Sequence, residues 1–323
     1  MRAFVTGGSG FVGKALIAAL LEQGHQVRAL ARTDGARAAV SEAGAEPVPG
    51  TLEDGAALRD AMGGCQWAFH VAALVKDWGA RDEFQRVNVE GTRRVLDACR
   101  AAGIRRLVHV STEAVLLGRG PLVRVDETLP RAGKPAGLYS WSKGESEGLV
   151  VAANGPDLET VVVRPRLVWG RGDPTFPRVM AAVRSGAFRW IGGGRYLTST
   201  CHVRNACEGL LLAAERGRPG EIYFVTDGEP LEYRRFTSDL LRAHGVEPPA
   251  GDMPRWLVGA AAAAMEAAFR GLRLGGQPLI TRQALALMAQ EVTVSDAKAR
   301  RELGYVGRVT REAGLGELSA GAR

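Results

Sequence analysis

The stretch Arg2–Leu16, RAFVTGGSGFVGKAL, decides the fold. Ala3–Thr6 is a short apolar run that predicts a buried strand, and Lys14–Leu21 continues in an apolar helical pattern. Between them Gly7, Gly10 and Gly13 stand at three-residue intervals. Gly7 permits a tight turn, Gly10 removes the side chain that would block a pyrophosphate, and Gly13 lets the helix pack close to the sheet. The amides at the helix start, Phe11 and Val12 among them, then face the phosphates. A glycine triplet alone is weak evidence. With a readable strand before it and a helix after it, dinucleotide binding becomes the leading expectation.

Outward from this stretch, apolar runs alternate with helical patterns. Gly24–Ala31, Glu46–Val48, Trp67–Ala72, Arg106–Ser111 and Glu159–Arg164 read as strands two to six. Leu52–Met62, Phe84–Ala102 and Leu138–Ala153 read as helices. The alternation predicts an α/β protein built on a doubly wound, mostly parallel sheet covered on both faces. From Gly170 the pattern loosens into short elements, with Ile222–Val225 and Leu279–Ile280 as brief strands and Phe236–His244 and Thr281–Ala289 as helices. The expected division is a cofactor domain over residues 1–170, to which elements near 195–226 return, and a smaller substrate-binding region over 171–323.

The 323 residues suffice for a full core, and Lys+Arg exceed Asp+Glu by 7. The arginines are scattered and do not interleave with aromatic residues, which argues against a nucleic-acid partner. Cys65, Cys99, Cys201 and Cys207 form no CxxC pair and read as buried thiols in a reducing compartment. No leader pattern and no membrane-length apolar span are visible, so a cytoplasmic protein is expected. Trp256–Leu274 is apolar nearly all round, broken by Glu266 and Arg270. It reads first as a helix covering an apolar pocket, then as a dimer face, and last as a weak peripheral membrane contact helped by Arg270 and Arg273.

The chemistry lies in YSWSK, where Tyr139 and Lys143 share one helix face. An unaided tyrosine titrates near ~10, and a neighbouring ammonium stabilises its phenolate. That pair can move a proton at a secondary alcohol oxygen while a hydride passes at carbon. A third partner for the substrate oxygen is expected at the end of the fifth strand, where Ser111, Thr112 and Glu113 lie. A hydroxyl suits this role better than a carboxylate, because it can donate to a carbonyl without adding negative charge. Arg32 closes the second strand where an acidic residue would hold a free ribose, with Asp34 two residues further on. This favours NADP(H) through a 2′-phosphate, with Arg28 and Arg37 nearby, and leaves NAD(H) as the alternative. His70 reads as a core or cofactor-edge histidine, and no metal site is expected.

Taken together, the motifs resemble those of the extended short-chain dehydrogenase/reductases, which include nucleotide-sugar epimerases, dihydroflavonol reductases and 3β-hydroxysteroid dehydrogenases. TGGSGFVG is similar to the cofactor motif TGxxGxxG, HVAA (His70–Ala73) to the fourth-strand motif and NVEGT (Asn88–Thr92) to the helix signature. VST (Val110–Thr112), YSWSK, RPRLVWGRGD (Arg164–Asp173), HVRN (His202–Asn205) and KARRELGY (Lys298–Tyr305) follow in family order. The resemblance implies a Rossmann-type sheet with Tyr139 as acid/base and Lys143 as the ribose-binding, pKa-lowering partner. For the group orienting the substrate carbonyl, the epimerase-like alignment implies Glu113, while on chemical grounds Thr112 is expected there, with Ser111 in reserve. Leu52, Ala72, Ala73, Asn88, Val110, Arg164 and Pro165 are then expected around the cofactor. Where the family often has Asp-Leu after its third strand, this chain has Thr51-Leu52. DWG (Asp77–Gly79) and the Trp256 segment point to the steroid-dehydrogenase branch. The expected reaction interconverts a hydrophobic secondary alcohol and its ketone. Nucleotide-sugar epimerisation or dehydration is the enzyme alternative, and a non-catalytic NADP-binding regulator the alternative of another class. The resemblance also implies a homodimer through the two long helices.

Overall fold

The computed structural model describes residues 1–118, 120–272 and 274–321. Arg273, named above for an acidic interface, lies outside the described residues. Seven parallel strands form the central sheet: β1 (Arg2–Thr6), β2 (Gln26–Ala31), β3 (Glu46–Pro49), β4 (Trp67–His70), β5 (Arg106–Val110), β6 (Glu159–Pro165) and β7 (Ile222–Val225). Their order is β7-β6-β5-β4-β1-β2-β3, so the sequence direction reverses between β1 and β4. This is the doubly wound arrangement, in which ligands bind at the carboxyl ends of the strands beside the reversal.

Strand residues alternate between two cores even though the runs are continuously apolar. Ala3, Val5, Phe69, Val108, Val161 and Val163 face one side with Leu16, Ile17 and Leu20 of α1 (Phe11–Glu22). Phe4, Ala68, Leu107 and Val162 face the other. There they meet Leu58 of α3 (Gly55–Met62), Val95 and Leu96 of α4 (Gly91–Ala101), and Val150 of α5 (Leu138–Ala152). The helix between them in sequence order, α2 (Asp34–Glu42), places Val40 with the α1 face, as does α6 (Val203–Arg216) with Ala206, Leu210 and Ala213. Asp54 caps α3 by accepting from the Ala57 amide, so that helix begins three residues later than expected.

Two expectations are corrected. Phe84–Ala102 is not one regular helix: a turn at Arg81–Phe84 leads into a π-helical segment, Gln85–Glu90, before α4. Leu279–Ile280 forms no strand, and Leu279 is 98% exposed, because no neighbouring strand meets it. The Trp256 segment is helical over Arg255–Gly271, burying Val258, Ala262 and Glu266 while Trp256 stays exposed.

A second, four-stranded sheet joins Leu231–Glu232, Leu197–Thr198, Val292–Val294 and Leu122–Val125 in that order. The segment after β5 therefore reaches across to pair with Val292–Val294, near the chain's end. All four cysteines are buried free thiols. Among the described residues no helix is long and apolar enough to cross a membrane, and no cluster of His, Cys, Asp and Glu could hold a metal ion.

Candidate active site

The glycine turn is as tight as its sequence requires. Gly7 has φ 74°, and a Cβ there would lie 2.8 Å from the Ala72 amide nitrogen. A Cβ on Gly13 would stand 2.0 Å from the Gly7 carbonyl oxygen, so no side chain fits. α1 opens on Gly10 with no side-chain cap and no acidic residue in its first turn. Its leading amides, including Phe11 and Val12, are therefore open to an anion. Together these features fit a dinucleotide phosphate.

Beside this turn, His70 ties β1 to the fourth-strand loop. Thr6 Oγ1 accepts from the Ala72 amide (3.2 Å) and lies 2.8 Å from His70 Nδ1. Thr92 Oγ1 donates to the Asn88 carbonyl (2.6 Å), so its 2.9 Å contact to His70 Nε2 must be one it accepts. His70 is thus the neutral Nε2–H tautomer, receiving the Thr6 proton at Nδ1. Burial pushes its pKa down to about 3, with the Lys143 charge adding to the effect.

Asn88, in the π-helical segment, does not face the cofactor crevice with free atoms. Its Oδ1 accepts from the Leu74 amide, and its Nδ2 donates to the Leu74 carbonyl and to Ser142 Oγ at 2.9 Å. It clips the loop after β4 to α5, which is a positioning role. Leu52 packs toward Gly91 at the start of α4, whose Cβ would meet it at 3.2 Å. Ala73 lies in the loop after β4, and Pro165 is the last residue of β6.

On α5, Lys143 Nζ donates to the Val110 carbonyl (2.8 Å) and stands 3.3 Å from His109 Nε2. Burial brings its pKa down to about 8, partly opposed by Glu147. Tyr139 is raised well above the usual phenol value, first by burial and then by the Glu113 carboxylate, with Asp77 a smaller cause. Of the groups around it, only Thr112 acts to lower it. Lys143 is not among the groups that shift the Tyr139 phenol. The ammonium is held by Val110 and His109, while burial and carboxylates govern the phenol.

Two further expectations change. Ser111 Oγ donates to Glu147 Oε2 at 2.6 Å, inside the core, and is not a reserve catalytic hydroxyl. Arg164 pairs with the same carboxylate through Nε (2.8 Å) and Nη2 (2.7 Å), both side chains being buried. It braces α5 against β6. Thr112 keeps its place beside Tyr139, but its hydroxyl donates to Glu113 Oε2 at 2.8 Å and accepts from the Ala114 amide at 3.2 Å. Glu113 in turn pairs with Arg166 at 3.0 Å, again fully buried. Glu147, Arg166 and His109 carry no motif-level signal of these roles. Arg166 lies within RPRLVWGRGD, but its partner is 53 residues away.

With this geometry in view, the comparisons with known proteins agree. The model of the 3-beta hydroxysteroid dehydrogenase/isomerase family matches residues 4–255. The chain belongs to that family. Within it, the chain is 50% identical over 319 residues to a 4-hydroxy-2-methyl-3-oxo-4-farnesyl-3,4-dihydroquinoline-1-oxide ketoreductase of Stigmatella aurantiaca, covering 98% of this chain and 96% of that one. Its fold is similar to the crystal structure of gox2253 at TM-score 0.81 and 31% identity, covering 99% of this chain and 97% of that one. A short-chain dehydrogenase/reductase superfamily protein from Agrobacterium tumefaciens with bound NAD is similar at TM-score 0.75 and 25% identity, covering 99% and 96%. This member of the 3-beta hydroxysteroid dehydrogenase/isomerase family is an NAD(P)-dependent oxidoreductase of the short-chain dehydrogenase/reductase type, acting on small organic substrates.

The expected preference for NADP(H) is corrected: the similar short-chain dehydrogenase/reductase superfamily protein from Agrobacterium tumefaciens has NAD bound. The three arginines do not assemble a phosphate pocket. Arg28 is spent on Glu46 and the Ala61 carbonyl, Arg37 on Asp34, and Arg32 is exposed at the end of β2.

Proposed function

We propose that this family member uses NAD(H) to interconvert a hydrophobic ketone and its secondary alcohol, with Tyr139 as the proton donor and acceptor. The observation that carries the reading is the half-buried Tyr139 phenol, kept protonated by its surroundings, one helical turn from a fixed Lys143. Phe11, Val12 and the glycine turn would hold the cofactor phosphates, and Lys143 the ribose beside the nicotinamide. When bound, the cofactor supplies or accepts the hydride.

The protein's part is proton placement. Tyr139, held well above the usual phenol range by burial, is fully protonated at neutral pH and donates to the carbonyl oxygen as the carbon becomes an alcohol. Lys143 has three N–H groups, of which one is committed to the Val110 carbonyl and one directed at His109. The third is free to reach into the site. His70 and Asn88 keep the loop after β4 in place through neutral hydrogen bonds. The reading divides the chain into a cofactor region over 1–170, with 195–226 returning to it, and a substrate region over 171–323. It makes the Arg255–Gly271 helix part of the apolar substrate cover.

The experiment is NADH oxidation by the purified chain with a panel of apolar ketones, run in parallel with Tyr139→Phe. Turnover by the wild type with loss of about 100-fold or more in the variant supports the reading. Equal rates for the two proteins would sink Tyr139's role.

A further inference from the structure

We infer that the outer face of the Arg255–Gly271 helix docks on an acidic phospholipid surface, lying in the headgroup layer with Trp256, Leu272 and Leu279 inserted toward the acyl chains. The inference does not depend on which reaction the site performs.

The helix is amphipathic in the reverse of the ordinary sense. A surface helix normally turns its charged residues to water and its apolar stripe to the core. Here the buried stripe is Val258, Ala262 and Glu266, which puts the one carboxylate between Arg255 and Arg282 on the inside. Two rows at helical spacing make up the outside: Trp256, Ala260, Ala263 and Ala267, then Leu257, Ala261, Ala264 and Ala268. All eight are exposed, and none is charged. Trp256 is 74% exposed, and the chain after the helix continues the surface with Leu272 at 71% and Leu279 at 98%. A contiguous exposed apolar face of this kind marks an interaction site.

Charge decides the occupant. Glu266 is held inward, its Oε1 accepting from the Arg282 amide (2.7 Å) and its Oε2 from Arg282 Nε (2.9 Å). The exposed charges of the segment are therefore all positive. Arg255 is exposed at the helix start, and the Arg270 and Arg282 side chains are each 59% exposed. Arginines rimming an apolar face suit anionic headgroups, their stems lying along the apolar surface and their charges reaching the phosphates. A second copy fits less well. Two-fold pairing would set this positive rim against itself and would need sockets for Trp256 and Leu279, whereas a fluid lipid layer needs none. On its other side the helix is tied to the loop after β4. The Trp78 ring meets Phe269 edge-on at 6.2 Å and lies under the Arg270 guanidinium at 4.9 Å. Docking would bring that loop, which Asn88 clips to α5, close to the lipid surface.

The test is co-sedimentation of the purified full chain with vesicles of phosphatidylcholine alone and of phosphatidylcholine mixed with phosphatidylglycerol, at low and at high salt. Binding to the acidic vesicles is expected to be about tenfold tighter than to the neutral ones, and to weaken as salt rises. Trp256→Ser combined with Leu279→Ser, and separately Ala263→Glu, should each lose about tenfold or more on acidic vesicles. Val306→Ser, which changes an exposed apolar residue elsewhere on the surface, should bind as the wild type does. All four positions are exposed, and melting temperatures equal to that of the wild type confirm that the variants are folded. No binding to acidic vesicles, equal binding to both kinds, or unchanged binding by either outer-face variant would overturn the inference. So would a dimer in analytical ultracentrifugation that Ala263→Glu dissociates, since the face would then belong to a second copy.

Discussion

Lys143 is a buried ammonium with a carbonyl and an imidazole as its partners, and its pKa of about 8 has a functional consequence. Burial disfavours the charged form, so the ammonium is present below about pH 8 and lost above it. NADH affinity is expected to weaken as pH rises through that value, because the neutral amine is a poorer donor to a ribose. A fluorescence titration of NADH across pH 6.5–9.5 checks this, and Lys143→Met should bind about tenfold less tightly with no such step. His70 makes stability itself depend on pH. Its folded pKa of about 3 lies below the unfolded value of about 6.5, so its contribution is complete above pH 6.5. That contribution is lost as pH falls toward 3, while the unfolded chain takes up a proton that the folded one refuses. Urea unfolding of wild type and His70→Asn at pH 7 and pH 4.5 should show a smaller acid loss in the variant.

At the scale of elements, the α1 turn and the α5–β6 contact are the least forgiving. Gly13→Ala places a methyl where the Gly7 carbonyl already stands, and should abolish NADH binding or folding. Gly259, inside the Arg255–Gly271 helix, has open space around its missing Cβ. Gly259→Ala is therefore expected to stabilise the chain by about 0.5–1 kcal/mol in denaturant melts. Two glycine-to-alanine changes thus carry opposite signs, decided by packing. Glu147→Gln removes the charge that balances the buried Arg164 and leaves one acceptor oxygen where the carboxylate offers two to Arg164 and Ser111. A loss of about 3–5 kcal/mol is expected in the same melts. The π-helical segment Gln85–Glu90 is the third such device. Its extra residue per turn brings Asn88 to both Leu74 and Ser142.

For the whole molecule, the doubly wound sheet brings the site together from segments far apart in sequence. Thr6, His70, Val110 and Pro165 end neighbouring strands, and a second sheet pairs Leu122–Val125 with Val292–Val294. Cofactor binding should therefore stabilise the fold as a unit. NADH at a hundred times its Kd is expected to add about 2.7 kcal/mol. Differential scanning should record a rise in Tm with NADH and a smaller one with equal NADPH. A larger rise with NADPH would contradict the NAD assignment.

Local chemistry alone determined much of this protein. Apolar periodicity placed the strands and helices, and Gly7, Gly10 and Gly13 announced the phosphate turn, because these signals depend on residues within one or two turns of one another. That Tyr139 and Lys143 share one helix was legible for the same reason. Arg32 misled because charge at a strand end does not reveal whether neighbouring arginines are free, and here Arg28 and Arg37 already have carboxylate partners. Ser111 and Thr112 are adjacent in sequence yet point to different carboxylates, Glu147 and Glu113. Only the tertiary structure assigned Arg164 and Arg166 to those two pairs, because a buried ion pair is fixed by which strands and helices are brought together, and the partners lie 17 and 53 residues apart.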